Sequence, residues 1–343
     1  MSASATPRVY CTYFDSGYLS RGLALISSLR SHGDNSDVYV LALDNETEKF
    51  LTNHAPENVF VINIGELERA EPSLLPLKVQ RSRMEYYFTC TPLLIRYVMN
   101  QLATPGSVAI YLDADLFFFN DPQLVISAMG KGSIGIIEHR YPDSVAKKLA
   151  KYGRFNVGWV GFKDDKPGRN VLDWYASKTL EWCSDKPEDG KYADQGYLDW
   201  FPEFEGVTIL ESAGFNLAPW NTKRHKLSLP LKERKFEGNS ASLLQVDGEP
   251  LVFFHFHGLR AVGNWFVSSQ IIYKSQMSQL LRDAVYLPYV NKLSSIDLAI
   301  AQYLSGASIK KRGNGLSGAL SRLRKNLVNV VSIATGNAIK PKD

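Results

Sequence analysis

The sequence contains little cysteine. Cys11, Cys90 and Cys183 are its three cysteines, and they are far apart, odd in number and without a Cys-x-x-Cys pair. This usage argues against a disulfide framework and offers no zinc-ligand spacing. The sequence therefore predicts neither a disulfide-stabilised protein nor a cysteine-ligated zinc site.

Long hydrophobic runs are also missing. Residues 1–8 are small and polar and lack the apolar stretch of a signal peptide. No segment reaches the roughly 18–20 apolar residues that span a bilayer. Internal repeats are absent, and no low-complexity linker occurs before residue 305. We therefore predict a cytoplasmic protein.

Net positive charge is missing outside the C-terminal tail. The 343 residues carry a formal net charge of +4. Residues 298–343 hold eight basic residues and one acid, a net +7, whereas the preceding residues hold 31 basic against 34 acidic residues, a net −3. A body that binds nucleic acid would carry the positive charge itself, so this class of function is disfavoured.

The composition is that of a folded protein, and its patterning indicates an α/β fold. Hydrophobic residues make up 45% of the chain and charged residues 22%. Two segments have helical spacing, 18–31 and 91–101, the second with Pro92 in its first turn. Beyond residue 264 the pattern is helical and then basic. Apolar or β-branched runs predict strands at 9–12, 38–43, 59–64, 107–112, 134–137, 157–162 and 251–256. This alternation predicts a mainly parallel central sheet flanked by helices.

Two carboxylates follow the most apolar of the predicted strands. Asp113 and Asp115 stand at positions i and i+2, so on an extended backbone their side chains point to the same side. Two like charges at a strand end are costly unless they share a cation, and carboxylate oxygens suit Mg²⁺ or Mn²⁺. Ligands of open α/β sheets bind beyond such strand ends. The alternative is a pair of solvated loop acids.

A second pair of polar side chains ends a late apolar strand. His255 and His257 stand two residues apart and are followed by Gly258. An imidazole nitrogen would complete a divalent-metal site begun by the two carboxylates. The alternative is a core histidine whose hydrogen bonds are satisfied.

Two further motifs place amide or carboxylate groups beside glycine, which permits close backbone approach to a ligand. With the earlier features they give a fixed order: Tyr-Leu-Asp-Ala-Asp at 111–115, Phe-Asn-Val-Gly at 155–158, Asp-Gln at 194–195 and His-Phe-His-Gly at 255–258. In this order the chain resembles nucleotide-sugar-dependent glycosyltransferases of the GT-A fold. The motif order is similar to glycosyltransferase family eight, which includes glycogenin and lipooligosaccharide galactosyltransferases, and to related bacterial transferases.

The resemblance implies a role for each matching position. Asp113, Asp115 and His255 would hold Mn²⁺ or Mg²⁺, with Asp113 also close to the donor ribose. The metal would bridge the diphosphate of a nucleoside-diphosphate sugar, with a UDP-sugar favoured. Thr12 and Asp15 would meet the base.

The same resemblance implies catalytic and phosphate-binding residues. Asn156, Asp194 and Gln195 would face the transferred sugar. The family's Lys-Pro-Trp after the glycine is missing, and Arg260 would take its place as the diphosphate clamp. Arg83 is the candidate for a further phosphate contact.

For the other candidate residues, the alternative to a binding role is ordinary surface charge or core packing. Arg81 and Arg96 join Arg83 as possible phosphate ligands, and His139 with Arg140 would line the acceptor side. Acceptor-stacking surfaces are an alternative to core packing for Tyr141, Trp159, Trp174, Trp182 and Trp220.

The C-terminal segment has its own pattern. Apolar residues recur every three or four positions in 309–333 with basic residues among them, which predicts a basic amphipathic helix. Such a helix lies on an anionic membrane or docks on the acidic body, and both alternatives stay open. We thus predict a GT-A glycosyltransferase domain over 1–270 and a helical basic extension over 271–343.

The predicted function is a metal-dependent glycosyltransferase that moves a sugar to a glycan or lipid-linked acceptor in bacterial surface polysaccharide synthesis. It would be cytoplasmic, or peripheral on the inner face of the membrane through its tail, and would not bind nucleic acid. The alternatives are an Asp-x-Asp phosphotransferase or phosphatase, and a sugar-nucleotide-binding module without turnover.

Overall fold

The computed structural model describes residues 7–230, 243–306 and 332–342. Its strands are β1 Arg8–Phe14, β2 Asp37–Ala42, β3 Val59–Asn63, β4 Val108–Leu112, β5 Leu116–Phe118, β6 Ile134–Glu138, β7 Phe155–Lys163, β8 Val207–Ile209, β9 Leu227–Ser228, β10 Gln245–Val246, β11 Glu249–Pro250, β12 Phe253–His255, β13 Arg260–Val262, β14 Trp265–Val267 and β15 Ala338–Ile339. Its α-helices are α1 Leu19–Ser31, α2 Asn45–His54, α3 Ile64–Ala70, α4 Leu74–Gln80, α5 Arg83–Gln101, α6 Gln123–Ala128, α7 Asp143–Leu149, α8 Lys166–Glu181, α9 Gln279–Leu281 and α10 Leu287–Gly306.

Short helical turns connect several of these elements. The 3₁₀ turns are Ala150–Tyr152, Gln195–Glu203, Thr222–Arg224 and Gln270–Tyr273, and a π-helical turn, Arg282–Tyr286, joins α9 to α10.

A seven-stranded sheet forms the centre, in the order β3-β2-β1-β4-β7-β6-β8. The pairs β1–β2, β2–β3, β1–β4 and β6–β8 are parallel, whereas β7 runs antiparallel to both β4 and β6. Every residue of β4 is buried, as its continuous apolar sequence predicts. The prediction of a mainly parallel central sheet flanked by helices is confirmed.

Helices cover the sheet on its two sides. Helices α5 and α8 pack against each other and share one core with β1, β4 and β7. Helix α1 contributes to a second core and packs against α10. The apolar face that predicted α1 enters this core, where Leu25, Ile26 and Leu29 are fully buried.

Smaller sheets extend the molecule beyond the central one. Strands β5 and β12 pair antiparallel, with Leu116 opposite His255. The order β11-β10-β9 makes a second small sheet, and β13-β14-β15 a third. Strand β14 of the predicted 1–270 domain thus pairs with β15 of the predicted extension, and the boundary between them stays a prediction.

Two predicted helical segments were placed wrongly. Helix α5 begins at Arg83, not at residue 91, because Ser82 and Glu85 form a reciprocal capping box. Pro92 consequently lies inside the helix. Residues 265–267 form a strand where the pattern predicted helix, since Trp265 and Val267 pair with Val262 and Arg260 across a hairpin.

The predicted basic amphipathic helix, 309–333, lies almost wholly outside the described residues, which resume at 332. Within the described part of the chain, no helix combines the length and apolar character needed to cross a membrane.

Candidate functional site

Asp113 and Asp115 lie just beyond the end of β4, at the carboxyl edge of the central sheet. The backbone N–H of Asp113 donates to the carbonyl of Gly158 in β7 at 2.9 Å. The N–H of Phe256 donates to the carbonyl of Asp115, also at 2.9 Å, where β5 and β12 pair. These backbone bonds bring the ends of three strands to one place.

The side chain of His255 contacts both carboxylates. Its Nε2 lies 3.1 Å from Oδ1 of Asp115 and 3.6 Å from Oδ2 of Asp113. One ligand atom from each residue lies within 4.8 Å of the others. Asp115 and His255 are buried, whereas the side chain of Asp113 is 26% exposed, so solvent reaches the cluster on the Asp113 side. The structure thus brings together the three predicted metal ligands.

The charges of this cluster depend on one another. Burial would raise the pKa of Asp115, but the attraction and hydrogen bond of His255 outweigh it and hold the pKa below its usual range. Burial, partly offset by His255, and the charge of Asp115 raise the pKa of Asp113. For His255 burial opposes protonation, yet Asp115 raises its pKa above the usual value. In this cluster the raised pKa of His255 and the lowered pKa of Asp115 have the same cause, the attraction between the two side chains.

The donor set fits a hard divalent cation. Asp113 and Asp115 offer carboxylate oxygens, and His255 offers Nε2 toward the same point. This mixture of oxygens with one imidazole suits Mn²⁺ or Mg²⁺. A cation bound here would replace the proton of His255 and would stabilise negative charge on a bound diphosphate.

A hydrogen-bond chain behind His255 fixes the orientation of its ring. Oδ1 of Asn156 accepts from the N–H of Gly158 at 3.2 Å and lies 3.2 Å from Nδ1 of His255. Nδ2 of Asn156 donates to Oε1 of Gln195 at 2.9 Å, and Nε2 of Gln195 donates to the carbonyl of Tyr152 at 2.7 Å. Because backbone groups set the direction of each bond, Nδ1 of His255 carries a proton and Nε2 is turned to the carboxylates.

Asn156 and Gln195 are both buried and act here as supports of His255. Their contact with a transferred sugar, which the resemblance implied, stays a prediction. Such a second layer around a metal ligand typically changes metal affinity by about 10- to 100-fold when it is removed.

Asn216 is a buried residue of this network that the sequence analysis missed. Its Nδ2 donates to Oδ1 of Asn156 at 3.0 Å, and its carbonyl accepts from Nδ2 of Asn221 at 3.0 Å. The backbone φ of Asn216 is 55°, a left-handed conformation that asparagine tolerates better than most residues. Its Oδ1 has no hydrogen-bond partner among the described residues. Asn216 stands in none of the sequence motifs, and nothing in its spacing relates it to Asn156.

Asp194 lies completely buried beside this chain. Its carboxylate accepts from the hydroxyl of Tyr175 at 3.3 Å and from the N–H of Gln195 at 2.9 Å, and it also bonds to the hydroxyl of Thr91. Burial above all, and the negative charge of Asp113, raise the pKa of Asp194 to about 7. A carboxyl group poised near neutrality in a site of this kind is a functional candidate.

The residues predicted to bind the nucleotide lie where β1 ends. Thr12 is buried in β1, and its Oγ1 has no partner within the described part of the chain. Asp15 accepts from the N–H of Gly17 at 3.0 Å and pairs with Nη2 of Arg83 at 2.9 Å. Because β1 and β4 are parallel neighbours, these side chains stand at the same sheet edge as Asp113.

Arg21 is a second residue that the sequence analysis missed. Its Nη2 donates to the carbonyl of Leu259, the residue after Gly258, at 2.9 Å. The positive charge of Arg21 helps to lower the pKa of Asp115, as the charges of His255 and His257 also do. Arg260, the predicted diphosphate clamp, is exposed in β13. Arg21 therefore provides positive charge close to the metal ligands, and its place in the first turns of α1 gave no sign of this.

Aromatic rings pack against the cluster around Trp220. The ring of Trp220 stands 5.0 Å from that of His255 and 6.2 Å from that of Tyr273. Nε1 of Trp220 donates to the carbonyl of His139 at 3.0 Å, and the rings of His139 and Tyr141 stack at 4.5 Å. Burial lowers the pKa of His139 to about 3, so this imidazole is neutral.

Several other candidates have structural partners. Arg81 donates to the carbonyls of Thr179 and Leu180, and Arg96 pairs with Glu71. Trp159 is fully buried in the core.

No protein-family model matches the chain. Among solved structures, it is similar to the galactosyltransferase LgtC, with a TM-score of 0.45 and 16% identity over 73% of this chain and 87% of that one. It is also similar to mouse xyloside xylosyltransferase 1, with a TM-score of 0.45 and 13% identity over 74% of this chain and 98% of that one.

Two proteins of Bacillus subtilis (strain 168) are similar to the chain in sequence. The uncharacterized protein YfnD is 27% identical over 287 residues, which are 83% of this chain and 88% of YfnD. The uncharacterized protein YfnF is 32% identical over 263 residues, which are 74% of this chain and 82% of YfnF. At this identity and coverage, the chain belongs to the family of YfnF.

Proposed function

We propose that the protein is a metal-dependent glycosyltransferase of the GT-A type that takes a sugar from a nucleoside-diphosphate sugar. The observation that carries this proposal is the cluster of Asp113, Asp115 and His255 at the carboxyl edge of a mainly parallel sheet. Two carboxylates and one imidazole at this edge are suited to a cation that holds a diphosphate. The order of the sequence motifs agrees with that use.

Each part of the site has a task in this proposal. Asp113, Asp115 and His255 hold the cation, and Asn156 with Gln195 keeps Nε2 of His255 turned toward it. When bound, the cation withdraws charge from the leaving diphosphate. Thr12 and Asp15 at the end of β1, with Arg83 of α5 paired to Asp15, lie where the nucleoside and its phosphates would bind. Arg21 adds positive charge beside Asp115.

Asp194 and Gln195 border the transferred sugar in this proposal. Asp194 is buried and has its pKa raised to about 7, so its proton is exchangeable near neutral pH. A buried carboxyl group next to a sugar binds a hydroxyl firmly and stabilises positive charge on the ring once it ionises. The acceptor in this proposal is a glycan or a lipid-linked sugar of bacterial surface polysaccharide synthesis.

A thermal-shift screen of the full chain tests the donor. We expect UDP-, GDP- or CDP-sugars to raise the melting temperature by about 5 °C when present at about 100 times the dissociation constant, and only with Mn²⁺ or Mg²⁺. The chelated protein is the control. Absence of stabilisation by every nucleotide sugar with metal contradicts the proposal.

Two assays on the full chain distinguish the proposal from its alternatives, a phosphotransferase or phosphatase and a non-catalytic binding module. A phosphatase would release phosphate from p-nitrophenyl phosphate with Mg²⁺ and would not need a nucleotide sugar. A binding module would be stabilised by the donor yet release no nucleoside diphosphate from it.

The basic tail supports a proposal on location. We place the protein in the cytoplasm or on the inner face of the membrane, because residues 298–343 carry a net +7 against the −3 of the rest. We expect the full chain to sediment with anionic phosphatidylglycerol vesicles and to be released by salt. Failure to sediment with either anionic or neutral phosphatidylcholine vesicles would favour a tail docked on the body.

A further inference from the structure

A cavity lies between the segment that follows Trp220 and the segment that follows Tyr273. It has a volume of about 570 Å³. Its polar lining comes from the two short turns that hold Thr222 and Lys274, and it includes Thr222, Lys223, His225, Lys274, Gln276 and Ser278. The functions described above use none of these side chains.

The side chain of His225 is a buried polar group of this cavity. It is 6% exposed, and its Nδ1 lies 2.7 Å from Oδ2 of Asp247. Oδ1 of Asp247 accepts from the N–H of Lys226 at 2.7 Å, so the carboxylate is fixed by the backbone. An ionised carboxylate only accepts, so Nδ1 of His225 is the donor.

The other ring nitrogen of His225 is left without a protein contact. Nε2 has no hydrogen-bond partner among the described residues. Burial lowers the pKa of His225, so in the free protein Nε2 keeps its lone pair. It can accept from a ligand hydroxyl or, once protonated, donate to an anionic oxygen. A buried polar atom of this kind is costly unless a ligand or water satisfies it.

The rim of the cavity is cationic. Lys223 and Lys274 both line it and are exposed, and Arg224 and Lys226 flank His225 in sequence. The carboxylate of Asp247 is engaged by His225 and by the N–H of Lys226. An anion entering this cavity therefore meets two ammonium groups and an imidazole.

Two lining residues of the cavity stand close in sequence to aromatic residues near the candidate active site. Trp220 contacts His255 on one side and Tyr273 on the other, and Thr222 and Lys274 follow these two aromatics closely in sequence. Oγ1 of Thr222 donates to Oε1 of Gln270 at 2.8 Å, which ties the two turns together. The lining of the cavity is therefore held in a fixed position relative to Trp220, which contacts His255.

Apolar side chains are exposed beside the cationic rim. In the turn that precedes Lys274, Ile271 is 42% and Ile272 66% exposed. An apolar pair next to lysines is the surface that an amphiphilic phosphate would contact.

We propose that this cavity binds the phosphoryl group of the acceptor, through Lys223, Lys274 and Nε2 of His225. The inference rests on the proposed function, because it gives that transferase an acceptor that is a phosphate- or diphosphate-linked sugar rather than a neutral glycan. The phosphate is carried either by a lipid or by a soluble sugar phosphate.

Calorimetric titration of the full chain in EDTA tests this. The probes are inorganic pyrophosphate, farnesyl diphosphate and farnesol, and EDTA removes any binding through a divalent cation at Asp113 and Asp115. We expect K223Q/K274Q to weaken diphosphate binding at least about tenfold, because two charge-assisted contacts are lost. K49Q/K131Q removes two exposed lysines elsewhere and should bind as the wild type does.

The probes also distinguish the two sources of phosphate. Tighter binding of farnesyl diphosphate than of pyrophosphate indicates a lipid carrier, and equal binding indicates a soluble one. Equal affinities of wild type and K223Q/K274Q, or no binding by wild type, overturn the inference. The proposed function fails separately, when nucleotide sugars with Mn²⁺ leave the wild-type melting temperature unchanged.

Discussion

Replacing Asp115 by asparagine is expected to lower metal-dependent turnover of the sugar nucleotide by at least about 1,000-fold. Asparagine keeps the shape of the side chain but removes the charge that faces His255 at 3.1 Å. A cation would then be held by a single carboxylate, that of the partly exposed Asp113. The measurement is nucleoside-diphosphate release from the donor at varied Mn²⁺ concentration.

Unfolding and Mn²⁺ titration of D115N distinguish loss of metal binding from loss of the fold. Asp173→Asn removes a carboxylate that is 65% exposed on α8 and serves as the matched control. We expect D115N to unfold cooperatively, as this control does, while its titration with Mn²⁺ shows no saturable site. Wild-type activity in D115N would rule out the cluster as the catalytic metal site.

The position of the two carboxylates was predictable from local sequence. The strand before Asp113 is apolar throughout and buried throughout, and a residue following such a strand lies at a sheet edge. That His255 meets these acids followed from the family resemblance, and β12 pairing with β5 is its physical cause. Strand pairing between distant segments cannot be derived from periodicity within either segment.

The supports of the site were less predictable because they depend on directed hydrogen bonds. The sequence motifs contained Asn156 and Gln195, but backbone groups of Gly158 and Tyr152 fix which way their amides point. Asn216 and Arg21 reach the cluster from a turn and from α1, and neither stands in a motif. The start of α5, in contrast, was present in sequence as the capping pair Ser82 and Glu85.

Replacing Asp194 by asparagine is expected to stabilise the free protein at alkaline pH. The pKa of Asp194 is raised from 3.8 to about 7, mainly by burial. The folded protein therefore binds this proton between pH 4 and 7 whereas the unfolded chain releases it, so the free energy of unfolding falls as pH rises through this window. Above pH 7 the cost approaches about 4 kcal/mol, an upper bound from 1.36 kcal/mol per pKa unit.

Asparagine removes this cost without removing the hydrogen bonds. The hydroxyls of Tyr175 and Thr91 can each accept as well as donate, so an amide in place of the carboxylate still finds partners. We expect D194N to melt at least about 5 °C above wild type at pH 8 without metal or donor, and at the same temperature at pH 4. Asp173→Asn should leave the pH dependence of melting unchanged.

The gain in stability should coincide with a loss of function, because natural sites retain destabilising charge where chemistry requires it. If Asp194 borders the transferred sugar, D194N lowers turnover by at least about 100-fold while the metal-dependent thermal shift by the donor persists. A D194N protein that keeps the wild-type fall of stability between pH 4 and 7 would show that another buried group causes it. A D194N protein with full turnover would show that Asp194 serves the fold alone. Removing a charge slows the chemical step only when that charge stabilises the transition state.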